Sequence, residues 1–128
     1  MPLGAACTSR SAIRMSPGDC LWVRVDKDRA AIVIKRMAAK EGDPPETERW
    51  MVVVGYGSPP TDGRCVKISH NERTGMILRL SKPTHFYRVA LIRNVPEIVL
   101  SNPGRCLPST LYALEELIGV RPPGSAPT

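Results

Sequence analysis

Aromatic residues are scarce, at 5% of the 128 residues with a single Phe, too few to fill a large core. Long apolar runs are missing too. The best of them, Ala30–Ile34 and Trp50–Val54, stop at Lys35 and Gly55, far short of the ~20 residues a membrane helix needs, so no membrane partner is expected. Met1–Arg14 has neither a basic start nor the apolar block of a secretory signal, and a cytoplasmic location is the expectation. The four cysteines, Cys7, Cys20, Cys65 and Cys106, are widely spaced with no C-x-x-C pair. That excludes the common zinc patterns and favours free thiols in a reducing compartment. Neither His70 nor His85 stands in a Cys/His signature. No repeat, G-x-G-x-x-G or P-loop is present, so neither a cofactor nor a metal is expected.

What the chain does contain is 42% hydrophobic residues, enough for one domain with its own core and outside the range of intrinsic disorder. It also carries a net charge of +6 that is unevenly placed. Residues 49–94 hold eight basic groups (Arg49, Arg64, Lys67, Arg73, Arg79, Lys82, Arg88, Arg93) against two acidic ones, Asp62 and Glu72, while the flanking parts are near neutral. Such a concentration favours an anionic partner, nucleic acid or an acidic polypeptide. Arg as an ordinary surface residue is the alternative.

Alternation with a period of two dominates and predicts strands. Residues 1–16 show no pattern and end at the turn Pro17-Gly18-Asp19, which predicts a loose arm. Cys20–Val25 and Arg29–Ile34 read as a hairpin about the polar turn Asp26-Lys27-Asp28. Met37–Glu48, with two prolines and four acidic residues, reads as a loop. Trp50–Val54, Arg64–Ser69, Met76–Leu80 and Tyr87–Arg93 are further strands, and Ile98–Leu100 a short last one. Pro103–Pro108 breaks the pattern. Leu111, Leu114, Leu117 and Ile118 then share one face of a helix that Ser109 or Thr110 would cap and Gly119 would end. The expected fold is mainly β, a small curled barrel of five to seven strands with a C-terminal helix. Its expected limits are 17–120, between the 1–16 arm and a disordered tail at 121–128.

Three places join unusual backbone to reactive groups. Arg29 begins a hydrophobic strand after a tight turn, where its fork of donors suits a phosphate, or is simply an exposed strand end. Gly55-Tyr56-Gly57-Ser58-Pro59-Pro60 lets the backbone turn sharply and presents the Ser58 hydroxyl, or is a turn and nothing more. Ser81–Tyr87 gathers Lys82, Thr84, His85 and two aromatics, a charge-plus-stacking set suited to single-stranded RNA; one of Phe86 and Tyr87 must turn inward.

These segments resemble the PemK/MazF family of toxin-antitoxin endoribonucleases. Pro17-Gly18-Asp19-Cys20-Leu21-Trp22-Val23 is similar to the family's opening P-G-D-[IV]-x-W-V strand, and Arg29-Ala30-Ala31-Ile32-Val33-Ile34 to its R-P-A-[LI]-V-[IL] strand. Val52–Ser58 resembles V-V-x-A-Y-G-T-S, and Leu80–Phe86 resembles L-K-K-P-T-x-F. The resemblance implies an SH3-like barrel, a homodimer that binds single-stranded RNA and is blocked by an acidic antitoxin. It also implies cleavage without a metal, with Arg29 and Ser58 as the catalytic pair. Arg64, Lys67, Arg79, Lys82, Thr84 and His85 are the expected RNA contacts. Ala30 stands where the family has Pro, Ser58 where it has Thr, and Asp26-Lys27-Asp28 where it has a long loop. Those departures leave a second expectation, a non-catalytic barrel that binds a protein or nucleic acid, such as a phage or mobile-element inhibitor of a host defence complex.

Overall fold

Alternating residues build the first two strands, β1 (Asp19–Arg24) and β2 (Asp28–Met37), which pair antiparallel across the short turn with Leu21 opposite Ala31 and Val23 opposite Arg29. The computed structural model describes residues 13–38, 42 and 48–120. Four more strands follow: β3 (Arg49–Tyr56), β4 (Val66–Ile68), β5 (Thr84–Arg93) and β6 (Val99–Arg105). Helix α1 (Arg73–Leu78) lies between β4 and β5, and helix α2 (Pro108–Ile118) follows β6. All six strands form one curled antiparallel half-barrel sheet in the order β4-β5-β3-β2-β1-β6. Among the described residues, no helix is long and apolar enough to cross a membrane.

The sheet is buried on both faces. Leu21, Val23, Ala31, Val33, Val52 and Val54 point into one cluster, and Cys20, Ile32, Val53 and Phe86 into the other, where Leu78 of α1 and Leu114 of α2 cover them. Burying each such aliphatic side chain stabilises the fold by about 1.5–3 kcal/mol, which is how a chain with one Phe assembles a core. Met15 closes the first cluster, and Asn94 Nδ2 donates to the Ile13 carbonyl at 2.6 Å. Ile13–Ser16, the end of the expected loose arm, is thus docked on the sheet, whereas residues 1–12 and the expected tail 121–128 lie outside the described residues.

Met76–Leu80, expected as a strand, is a correction. Residues 73–78 form α1, with Thr74, Gly75 and Leu78 buried at helical spacing. A short apolar run fits either period, and here contact with the sheet selects the helix. The Arg64–Ser69 strand shortens to β4, β5 begins three residues early at Thr84, and β6 runs through Pro103 to Arg105. Helix α2 starts at Pro108 with Leu107 as its N-cap residue and no side-chain cap, so neither Ser109 nor Thr110 caps it. Gly119 ends it, at φ 80°.

A polar knot ties the loop ends around β3. Trp50 Nε1 and Asn94 Nδ2 each donate to Glu48 Oε1 at 3.1 Å, and these bonds, that from Asn94 first, hold the Glu48 carboxyl below its ordinary value of 4.5. A depressed carboxyl pKa stabilises the fold above the unfolded value and loses that contribution as pH falls through the folded one. Acid titration of stability should therefore show wild type losing more than Glu48→Gln below about pH 4.5. Urea unfolding near neutrality and near pH 3 checks this; parallel losses in the two proteins count against it.

Candidate functional site

Arg29 is held on two sides. Its Nε and one terminal nitrogen donate to the two carboxylate oxygens of Asp26 at 2.7 and 2.9 Å, and its guanidinium carbon lies 4.1 Å above the centre of the Tyr56 ring. Asp26 reaches Arg29 because the β1–β2 turn is only Val25–Lys27, closed by the Val25 amide donating to the Lys27 carbonyl at 3.2 Å. Asp28, the other acidic neighbour, pairs instead with Arg24 at 2.9 Å. The bonds to Arg29 hold the Asp26 carboxyl well below the usual carboxylate range, and those to Asp26 push the Arg29 guanidinium up. The Arg29 side chain is 15% exposed and that of Asp26 62%.

A bulge places the aromatic partner. Val54 pairs with Arg88 but Gly55 with Phe86, so Tyr87 is the extra residue on β5. Phe86 then points into the core, fully buried, while Tyr87 meets Tyr56 with ring centres 5.2 Å apart. Bulges re-aim side chains in this way beside binding sites. Gly55 is required because a Cβ there would stand 2.5 Å from Thr84 Cγ2 and 2.9 Å from the Phe86 ring.

These groups line a cavity of about 600 Å³ at the sheet rim, together with Trp22, Ser58, Arg79, Lys82 and Thr84. Lys27, Arg29, Arg79 and Lys82 face it; Arg29 is paired with Asp26, and the one acidic lining residue, Asp28, is paired with Arg24, so Lys27, Arg79 and Lys82 make the cavity basic. The Lys82 ammonium lies 3.0 Å from where a Gly57 Cβ would be, which seats a cation beside Ser58. Arg79 caps α1 in the left-handed conformation, φ 55° and ψ 47°, a backbone state uncommon outside glycine.

Of the eight residues singled out from the sequence, five line this cavity: Arg29, Ser58, Arg79, Lys82 and Thr84. Lys67 and His85 stand outside it as a cross-strand pair on β4 and β5, and Arg64 is on the exposed loop before β4, its amide donating to Asp62 Oδ1 at 3.0 Å. Tyr87 belongs to the stacking set expected of the Ser81–Tyr87 segment, whereas Tyr56 and Trp22 join it only because strand register and the bulge bring them to the rim. Cys20, Cys65 and Cys106 are free thiols, and Cys106 together with burial pushes the Cys20 thiol up; Cys7 lies outside the described residues.

The Asp26 carboxylate sits on the Arg29 fork as a phosphate would, and an anion entering the cavity must displace it or share the guanidinium. Because an exposed ion pair is worth about 1 kcal/mol or less, Asp26→Asn should tighten binding of a phosphate-bearing oligonucleotide by up to about fivefold. Titration calorimetry checks the direction, and weaker binding would contradict it.

Compared with known proteins, the chain matches no protein-family model, no curated protein and no solved structure.

Proposed function

We propose that this protein is a metal-independent endoribonuclease acting on single-stranded RNA, with Arg29 and Ser58 as its catalytic residues and an acidic protein as its inhibitor. One observation carries the reading: a permanently charged guanidinium, a serine hydroxyl and three further cations converge on one open cavity beside paired tyrosine rings. Cations hold a phosphodiester and aromatic faces hold bases, whereas a site for a small neutral substrate needs neither in this number.

In the proposed reaction a ribose 2′-oxygen attacks the adjacent phosphorus. The 2′-oxygen to phosphorus bond forms, the bond to the 5′-oxygen breaks, and the cyclic phosphate and a free 5′-hydroxyl are left. The hydroxyl proton passes to solvent and the leaving oxygen takes one from solvent. Arg29 stabilises the charge that develops on the non-bridging oxygens, and Ser58 donates to the same phosphate. Lys82 and Arg79 hold the flanking phosphates.

A second reading, a barrel that binds without cleaving, draws on the bidentate Asp26 contact, which already occupies the Arg29 fork. Incubating the purified protein with single-stranded RNA in EDTA separates the two. The endoribonuclease produces fragments ending in cyclic phosphate. Intact RNA, the same for wild type and Arg29→Ala, overturns it in favour of the binding module. The homodimer expected from sequence remains part of the proposal, supported by Val89 and Leu91, which are exposed on β5 beyond the reach of β4.

A further inference from the structure

Four neighbouring strands each place one side chain in a single row. The pairing of Ala31 with Val54, continued by two residues, sets Arg29 opposite Tyr56, and the cation stacked on that ring agrees. Tyr56 pairs with His85, and His85 with Lys67. Directly opposed residues of antiparallel strands share a face. Because the adjoining pair, Gly55 and Phe86, turns toward the second cluster, the row lies on the face of the first, where Tyr56 is only partly buried at its edge. It reads cation, aromatic ring, imidazole, cation across β2, β3, β5 and β4. At about 4.8 Å per strand it spans about 14 Å.

The inner half of the row, Arg29 and Tyr56, belongs to the cavity, and the outer half, His85 and Lys67, does not. Two neighbours reinforce the middle: Tyr87 stands against Tyr56, and Cys65 Sγ lies 3.6 Å from His85 Nδ1, which limits rotation of the imidazole. Lys67 is exposed and makes no ion pair among the described residues.

We propose that a single RNA strand leaving the cavity crosses the sheet along this row, its bases stacking on Tyr87 and His85 and a phosphate resting on Lys67. The inference rests on the RNA reading above and extends it to a binding track perpendicular to the strands. An acidic peptide would use the two end cations but leave the flat π surfaces between them unused, whereas a polynucleotide uses both.

The test is fluorescence anisotropy with labelled, uncleavable 2′-O-methyl oligouridylates of about three and about eight nucleotides over a range of salt, with an oligoglutamate as the peptide probe. The longer RNA should bind at least about tenfold more tightly than the shorter. Lys67→Ala should reduce that ratio and lower the salt slope of the longer RNA by about 0.7, the value for one lost phosphate contact on a single strand. Tyr87→Ala, because Tyr87 also lines the cavity, should weaken both RNAs by about tenfold through lost stacking. Lys67 is exposed, so its variant keeps the core intact even if the Tyr87 variant folds poorly. RNA binding with no length dependence, or with a ratio that Lys67→Ala does not move, overturns the track and leaves the RNA reading standing. Failure of both RNAs to bind overturns that reading as well. Oligoglutamate bound with the same Lys67 dependence and no Tyr87 dependence makes the row a peptide site and also overturns the proposal.

Discussion

Arg29→Ala is expected to lower the rate of RNA cleavage by two to three orders of magnitude while the protein stays folded. A donor aimed at charge that develops in the transition state is worth about 10²–10³ in rate when removed. The cost to the fold is much smaller. Asp26 is left as an exposed carboxylate rather than a buried one, so the loss of its solvent-screened ion pair costs little, and the stack on Tyr56 adds about 0.5–1 kcal/mol. Arg29→Lys should fall between, since it keeps the charge but cannot present two parallel donors or stack flat on the ring. Single-turnover cleavage by the three proteins, with urea unfolding alongside, checks both halves. Equal cleavage rates would remove Arg29 from the chemistry, and collapse of the fold would make it a structural residue.

Gly75→Ala should destabilise the protein by about 3 kcal/mol, opposite in sign to what helix propensity alone gives. In an open helix the exchange is favourable by about 0.5–1 kcal/mol. Here a Cβ would collide with the backbone oxygen of Ser69 and stand 3.0 Å from His70 Cα, and neither atom can swing aside as a flexible side chain would. Helix α1 must shift or unwind, and with it Arg79, whose amide closes the end of the helix and whose side chain reaches the cavity. Urea unfolding should show a lower midpoint, and RNA affinity should fall in parallel. A more stable variant would mean that α1 is not seated tightly on the Ser69 backbone.

Elements whose signals are local could be read directly. The alternation in β1 and β2, the polar turn between them and the Gly119 stop of α2 all follow from residues within a few positions of one another. So did the central place of β2, since Ala30–Ile34 offers no polar face to solvent and every residue of it is buried. The concentration of positive charge was legible as well, but not its address. Arg29 and Lys27 come from the near-neutral first part of the chain, and they meet Arg79 and Lys82 only at the rim of the folded sheet.

What the linear order could not supply depends on pairing between distant segments. Met76–Leu80 is a short apolar run that suits a strand, yet residues 73–78 form a helix because Leu78 packs into a cluster shared with β2, β3 and α2. One of Phe86 and Tyr87 had to turn inward, and the choice was made by the bulge opposite Gly55, where a shift of one residue exchanges the faces of a strand. The same register sets Arg29 against Tyr56 and carries the row on to His85 and Lys67. Local sequence therefore determines which residues are extended and which are charged. Only the assembled sheet decides which of them meet, because cross-strand contact joins residues separated by tens of positions and nothing in either segment encodes its partner's register.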